Sequence, residues 1–594
     1  MDYKALGGLP QMFFQQAERL GREPFLWAKR DGAWHPLSWA EVADRVESLA
    51  RGLVALGLEP GDRVALVSEN RPEWLIADIA IMAAGGVTVP AYTTNTVSDH
   101  LHILTDIGAR IAIVSTPALA KRLLPAAVQS PKAETVIAMQ PVDDAPAQGL
   151  RVIGWDAALA MQGDFAPRMA AVTRTDTACI IYTSGTSGKP KGVMLSHGAV
   201  LSNAEGCHDF LRKLRGFEAH QSFLSFLPLS HSFEHTAGQM IPIGIGAEIY
   251  YAEGIDKLAA NISEVRPTII CAVPRLYETM RDRILRGVER AGGLQEKLFR
   301  KTLELGRHSY EEPGAMGLGN RLLNALLDLL VRRKVRNRFG GRLKAFVSGG
   351  APLNYEVGLF FQSLGLTILQ GYGQTESSPV VSCNVPHSNK LHTVGPALSN
   401  VTVRIAEDGE ILVQGELVMQ GYWNLPQDTA ATIVDGWLHT GDIGRIDEDG
   451  YIQITDRKKD IIVNSGGDNL SPARVEGMLT LEPEIEQAVV YGDKRPHLVG
   501  LLVPSETFAQ EWAAANGKPA DLAALAADPQ FTAALSAAVD RVNKHLSAIE
   551  RVRRFTVSPE RFSVDNELMT PTMKLRRHAI YARHGETLKR LYGD

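Results

Sequence analysis

Between Cys179 and Val193 a short apolar run opens into a loop rich in groups that can hold an anion. It contains Gly185, Gly188 and Gly192, the hydroxyls of Thr183, Ser184, Thr186 and Ser187, and the amines of Lys189 and Lys191. Glycines let backbone N–H groups approach an anion closely, hydroxyls add donors, and lysines supply charge. Such a composition describes a polyphosphate cradle. It differs from the Walker loop, whose pattern is G-x-x-x-x-G-K-[ST]. Only two residues separate Gly185 from Gly188, and Pro190 follows the lysine where a Mg²⁺-binding hydroxyl would stand. The competing reading, an ordinary surface loop, does not account for this concentration of hydroxyls, glycines and lysines.

Further stretches, Ser348-Gly349-Gly350-Ala351-Pro352, Gln370-Gly371-Tyr372-Gly373-Gln374-Thr375-Glu376, Trp437-Leu438-His439-Thr440-Gly441-Asp442, Arg457 and the C-terminal Lys574, follow in order. Together with the loop they resemble the adenylate-forming (AMP-binding) superfamily of acyl-CoA synthetases, luciferases and peptide-synthetase adenylation domains, over nearly the whole chain. The resemblance implies a reaction in which a carboxylate attacks the α-phosphorus of ATP, releasing pyrophosphate and leaving an acyl-adenylate. It also implies roles. Thr183, Ser184, Gly185, Thr186, Ser187, Gly188, Lys189 and Lys191 would cradle the phosphates. Gly349, Gly350, Ala351 and Pro352 would face the adenine edge. Tyr372 would stack near adenine within the Gln370, Gly371 and Gly373 turn, and Thr375 would bond the α-phosphate. Glu376, with Thr183, would help hold Mg²⁺, a hard cation that prefers oxygen ligands and bridges phosphates. Asp442 would take the ribose hydroxyls with Arg457 beside it, and Lys574 would point at the reacting carboxylate and α-phosphate. Taken singly, an Asp in a turn or an exposed lysine is an ordinary structural feature. The ordered set is the specific signal.

Leu227-Pro228-Leu229-Ser230-His231-Ser232-Phe233-Glu234-His235 matches the stretch that lines the acyl side in the family. His231 would lie beside the substrate carboxylate, a role that competes with that of a satisfied core histidine. His235 stands where some long-chain members carry a tryptophan gate. Gly238 and Gly244 would leave room for a chain. The segment Val273-Pro274-Arg275-Leu276-Tyr277-Glu278, the helical stretch after it and Ser465 to Pro472 resemble long-chain fatty acyl-CoA synthetases, although Asp468 stands where many members have lysine. The expected activity is therefore that of a long-chain fatty acid–CoA ligase using ATP, Mg²⁺ and CoA. The alternatives are a fatty acyl-AMP ligase that loads an acyl carrier protein, and a medium-chain or aryl acid–CoA ligase. A non-catalytic lipid-binding protein on the same fold is disfavoured by the intact set of motif residues.

The elements that must position these residues alternate. Val42, Val46, Leu49, Leu53 and Leu56 recur at helical spacing after Ser38, a candidate cap; Arg63 to Val67 reads as a strand, Trp74 to Ala84 as a helix, and Val87 to Val89, Ile111 to Val114 and Thr135 to Met139 as strands. Alternation of this kind predicts an α/β fold with a mostly parallel sheet covered by helices. After residue 400 short strands dominate (Val401 to Ile405, Glu410 to Gln414, Tyr451 to Thr455), and a smaller α/β unit follows. The expected organisation is a large N-terminal domain of βα layers with a small barrel-like strand-rich subdomain (residues 1–457), carrying a helical insertion at about 275–341. A smaller C-terminal α/β domain (458–594) follows, mobile by analogy with the family. The charged run Asp456 to Asp460 marks the boundary, and Lys459 falls at the family's hinge position.

Length and composition set outer limits. At 594 residues, 45% hydrophobic and 22% charged, the chain is an ordinary globular protein too long for one core. A net charge of −5 argues against nucleic acid as a partner. Four dispersed cysteines without CxxC spacing suggest neither a metal knot nor a disulfide framework. The N-terminus lacks an apolar signal core, and no apolar run is long enough to span a bilayer. The expectation is a cytoplasmic protein. Residues 321–338, apolar first and basic after, form a helix suited either to packing or to peripheral contact with the inner face of a membrane. An oligomer is compatible with the sequence.

Overall fold

The computed structural model describes residues 1–142, 149–183, 190–217, 220–570 and 574–593. Two eight-stranded sheets form the body. One runs Val380–Cys383, Ile368–Gly373, Ala345–Ser348, Ile269–Ala272, Ser222–Ser225, Glu248–Tyr251, Pro24–Arg30, Ala33–Ser38, in spatial order. The other runs Gly421–Tyr422, Lys191–Ser196, Thr177–Thr183, Val87–Ala91, Arg63–Val67, Ile111–Val114, Thr135–Ala138, Arg151–Gly154. The interior pairings of both are largely parallel. Their strands read as continuous apolar runs because both faces are covered.

The largest core joins residues of both sheets, such as Phe223 and Ile249 from one and Leu66 and Ile181 from the other. Between them lies the helix Pro72–Ala83, whose side chains from Trp74 to Ala83 are all buried. A helix apolar all round belongs inside a protein, and its one buried acid, Asp78, stands out for that reason. The helix Trp39–Ala55 begins at a capping box formed by Ser38 and Glu41, as the sequence led us to expect.

The strand-rich unit after residue 400 is a five-stranded antiparallel sheet built on Thr402–Ile405, Glu410–Gln414, Trp437–Ile446 and Ile452–Arg457, with Ile433–Val434 at one edge. A smaller C-terminal body follows. Its sheet of Ile485–Tyr491, Leu498–Pro504 and Val552–Val557 is packed by the helices Pro472–Leu479, Pro529–Asn543 and Arg577–Arg590. The mixed α/β character and the pairing of a large N-terminal with a smaller C-terminal domain agree with the sequence reading. All four cysteines are free and buried.

The helical stretch from 274 consists of Pro274–Ala291, Gly293–Glu311 and Leu318–Leu327, the last continuing through a π turn (Asp328–Arg332) into Arg333–Arg338. A second π segment, Glu234–Met240, follows the loop that holds His231. Pro242 cannot donate to the carbonyl of Gly238, so the ladder loosens there, and the side-chain amide of Gln239 donates to that carbonyl instead, at 2.7 Å. Among the described residues no helix is long and apolar enough to cross a membrane.

Candidate functional site

Two parallel neighbours, the strands Ala345–Ser348 and Ile368–Gly373, end at several of the predicted residues, and strand ends are a usual place for a ligand in such sheets. Strand Ala345–Ser348 runs into Gly349 to Pro352, of which Gly350, Ala351 and Pro352 are exposed. A Cβ at Gly349 would sit 3.1 Å from the Phe233 ring, and Gly350 has φ +83°, so both positions favour glycine. Strand Ile368–Gly373 delivers Tyr372, Thr375 and Glu376. At Gly373 a Cβ would collide with the Pro379 carbonyl.

Tyr372 donates its hydroxyl to Asp442 Oδ2 at 2.7 Å, and Arg457 Nε lies 3.2 Å from Asp442 Oδ1. The spacing of Asp442 and Arg457 has a plain origin. The strands Trp437–Ile446 and Ile452–Arg457 form an antiparallel hairpin whose register sets these two residues opposite each other. Burial pushes the Asp442 carboxyl above its usual range, and Arg457, Tyr372 and Lys574 pull it back. Gly441, at φ +72°, donates its N–H to Glu410 Oε1 at 2.8 Å, which fixes the turn before Asp442.

Glu376 accepts the hydroxyl of Tyr422 on Oε1 at 2.8 Å, and among the described residues its second oxygen carries no hydrogen bond. Thr375 Oγ1 and Ser232 Oγ lie 3.0 Å apart, joining the turn after strand Ile368–Gly373 to the loop that holds His231. Thr183 ends its strand opposite Lys191 and donates to the Lys191 carbonyl at 3.4 Å.

Lys574 is presented by a tight return in which Thr570 N–H donates to the Lys574 carbonyl (2.8 Å) and Lys574 N–H to Thr570 Oγ1 (3.1 Å). It comes from the C-terminal body, yet it shares an electrostatic neighbourhood with Arg457, Asp442, Glu376 and His231. Its side chain keeps solvent access. Crowding by protein, then Arg457, lowers the pKa of the ammonium, and Asp442 and Glu376 oppose this. The two bodies therefore meet across this cluster.

Several of the expected site residues have protein partners of their own. His231 is desolvated, and burial, with a smaller contribution from Lys574, takes its pKa down to about 4. Its Nδ1 accepts the Phe233 N–H at 3.1 Å, which leaves the proton on Nε2. His231 is thus a neutral donor at neutral pH, unsuited to supplying a proton. His235 is fully buried and pairs with Asp78 at 3.0 Å. Nor do the two pocket glycines leave free room: a Cβ on Gly238 would meet the Glu234 carboxylate at 2.3 Å, and one on Gly244 would meet the Tyr3 hydroxyl at 2.4 Å. Lys191 is turned to Asp428, 2.5 Å away, and over the Tyr422 ring. The side chain of Gln370 is engaged with the backbone of Leu353 (2.8 Å) and Thr393 (3.0 Å), so it shapes the loop rather than facing a ligand. Gly371 packs close to the Ser382 carbonyl. Ser184, Gly185, Thr186, Ser187, Gly188 and Lys189 lie outside the described residues. Lys459 is exposed just after the hairpin strand.

Sequence reasoning missed Ser232, Glu410, Tyr422 and Asp78. The only signal available for the last was an acid within an otherwise apolar helical run. The other three act through partners 31 to 143 residues away.

Comparisons with known proteins agree with this fold. Residues 13–423 match the model of the AMP-binding enzyme family, and residues 459–594 that of an AMP-binding enzyme C-terminal domain. A long-chain-fatty-acid–CoA ligase of Mycobacterium bovis is 34% identical over 566 residues, covering 95% of this chain and 93% of that protein. The peroxisomal long chain acyl-CoA synthetase 7 of Arabidopsis thaliana is 30% identical over 624 residues, covering 100% of this chain and 87% of that protein. In fold, the chain resembles the adenylation domain of a carboxylate reductase from Mycobacterium chelonae, with a TM-score of 0.75 at 22% identity, covering 99% of this chain and 92% of that one. With strand ends that gather Tyr372, Glu376, Asp442 and Arg457 and a second body that adds Lys574, the chain belongs to the AMP-binding enzyme family.

Proposed function

We propose that this chain is a long-chain fatty acid–CoA ligase that works in two steps at one cleft. In the first, a fatty carboxylate oxygen bonds to the α-phosphorus of ATP while the bond from that phosphorus to the bridging oxygen breaks, and pyrophosphate leaves. In the second, the CoA sulfur bonds to the acyl carbon, AMP leaves, and the thiol proton passes to solvent.

The observation that carries the reading is the arrival of Lys574 among Glu376, Asp442, Arg457 and His231. An ammonium there offsets the negative charge of carboxylate and phosphate as they approach, which is stabilisation placed where the charge changes. Asp442, held by Tyr372 and Arg457, is the acceptor for a ribose diol. Thr375 offers a hydroxyl to the α-phosphate, and neutral His231 donates Nε2–H toward the acid. The free oxygen of Glu376 and the Thr183 hydroxyl fit a hard cation. Among the described residues no three His, Cys, Asp or Glu side chains converge on a metal position, so phosphate oxygens would complete the shell. Glu376 and Thr183 would hold Mg²⁺, which when bound would supply positive charge to offset that of the departing pyrophosphate.

The identity of the acid rests on the two relatives named as long-chain enzymes, each aligned over nearly all of this chain. Purified protein given radiolabelled palmitate, Mg-ATP and free CoA should make palmitoyl-CoA with no carrier protein present. Product that appears only with an acyl carrier protein, or only from short or aryl acids, would contradict this assignment.

A further inference from the structure

The helix that starts at Leu318 has two faces with different fates. Leu327 is fully buried and packs with Leu305 and Met316, and Leu323 and Val331 lean on the same cluster. Arg332 is buried too, and its guanidinium donates to the carbonyls of Ser363 (2.7 Å), Asn324 (3.1 Å) and Thr302 (3.3 Å). Arg332 therefore anchors the helix and takes no part in surface charge, a correction to the sequence view of one continuous basic end.

Among the described residues the opposite face has no such partner. Leu318, Leu322, Leu326, Leu329 and Leu330 are 79%, 71%, 50%, 55% and 41% exposed. Spacings of four, four and three residues bring the first four onto one stripe of a helix. Exposed apolar side chains scattered singly are unremarkable, but a contiguous stripe marks a place where something binds. The buried side of the same helix holds it in place, so the leucines are presented from a fixed element.

Charge narrows the choice of occupant. Residues 318–338 contain six bases and one acid. The acid, Asp328, is taken by Arg336 in a two-pronged contact at 2.9 and 2.8 Å. Arg321, Arg333, Lys334 and Arg338 are exposed, and among the described residues none of the four has an ion-pair partner. A second copy meeting this face across a twofold axis would bring uncompensated bases against one another. An anionic surface would not.

We propose that this face docks the protein on an anionic phospholipid bilayer. The leucines enter the acyl-chain boundary, and Arg321, Arg333, Lys334 and Arg338 lie against the phosphates. A short amphipathic helix with leucines on one side and bases alongside lies in the interface plane and does not span it, in accord with the lack of any spanning helix among the described residues. The proposal stands on this helix alone and does not depend on which acid is activated.

Flotation of the full chain with phosphatidylcholine vesicles, with or without phosphatidylglycerol, tests it. Binding to the anionic vesicles is expected, together with its loss at high salt. The double variants Leu322→Gln/Leu326→Gln and Arg333→Gln/Lys334→Gln should each lower partitioning by roughly tenfold or more, with pyrophosphate exchange on a soluble acid unchanged. Because the pairs alter different chemistry on one face, failure of either to fold leaves the other decisive. Absence of wild-type binding, equal binding of variants and wild type, or equal binding to neutral vesicles overturns the proposal. A leucine-dependent dimer in sedimentation velocity would also overturn it, in favour of a second copy.

Discussion

In the proposed reaction Lys574 and Glu376 divide the charge problem between them, and each yields a separate prediction. Lys574→Ala should lower acyl-adenylate formation by about a hundredfold while leaving thioester formation from supplied adenylate near wild type. Equal loss in both half-reactions, followed by rapid quench, would refute that division. Tyr422→Phe removes the donor that orients Glu376 at 2.8 Å, and should raise the Mg²⁺ concentration needed for half-maximal rate several-fold; an unchanged Mg²⁺ titration would contradict the role. The buried histidines set the acid side of stability. His100, His197 and His231 all have pKa values held down to about 4 by desolvation. Below their ordinary pKa of about 6.5 the unfolded chain binds protons that the folded chain refuses. Each therefore removes stability as the pH falls from about 6.5 toward about 4. Burial raises Glu234 to about 8, so its proton favours the folded state at low pH, and stability is lost as the pH rises through about 8. Urea midpoints measured from pH 4 to pH 8 should peak near pH 6.5, and a monotonic rise to pH 8 would show that Glu234 is not protonated in the fold.

The elements carried much of their own signature. Arg63–Val67, Ile111–Val114 and Glu410–Gln414 are strands with the limits that their apolar patterns suggested, and Ser38 caps the helix that its spacing pointed to. Helix Pro72–Ala83 starts two residues earlier than the pattern implied, because Pro72 is favourable at a first turn. What pattern does not carry is partnership at long range. The composition of the phosphate loop is visible in the sequence, but not that Lys191 pairs with Asp428, that Gln370 ties two backbone segments together, or that side chains fill the space beside Gly238 and Gly244. A base in a basic run likewise gives no sign of being buried, as Arg332 is. The π turns depend on Pro242 and on tertiary packing. In the C-terminal body, Arg577 grips Glu476 through two contacts of 2.6 and 2.5 Å, and Glu476 also accepts the Val490 N–H at 2.8 Å. Glu476→Gln leaves a nearly buried guanidinium without its counter-ion and should cost about 3 kcal/mol, read as a lowered unfolding midpoint. A shift under about 0.5 kcal/mol would place this pair among surface contacts in its energetics.

Across the molecule, the two bodies touch through few polar contacts. Arg275 lies 3.5 Å from Glu486, Asn354 donates to the Gly477 carbonyl at 3.3 Å, and Leu481 leans on the core of the larger body. An interface this sparing would suit the mobile cap that the family resemblance implies, which on the proposed mechanism would present Lys574 for the first step and withdraw it for the second. Lys459, exposed between the bodies, is where the backbone would turn. Lys459→Pro, which fixes φ at that point, should spare adenylate formation and slow thioester formation by tenfold or more; loss of the first step alone would contradict a hinge at this position.

All of this rests on an acid meeting ATP where the two bodies join. Incorporation of labelled pyrophosphate into ATP, measured without CoA across acids from acetate to oleate, examines that meeting most directly. The account predicts Mg²⁺-dependent exchange that is strongest with long-chain acids and is lost in Lys574→Ala. No exchange with any acid, or exchange that persists undiminished in Lys574→Ala, would contradict it.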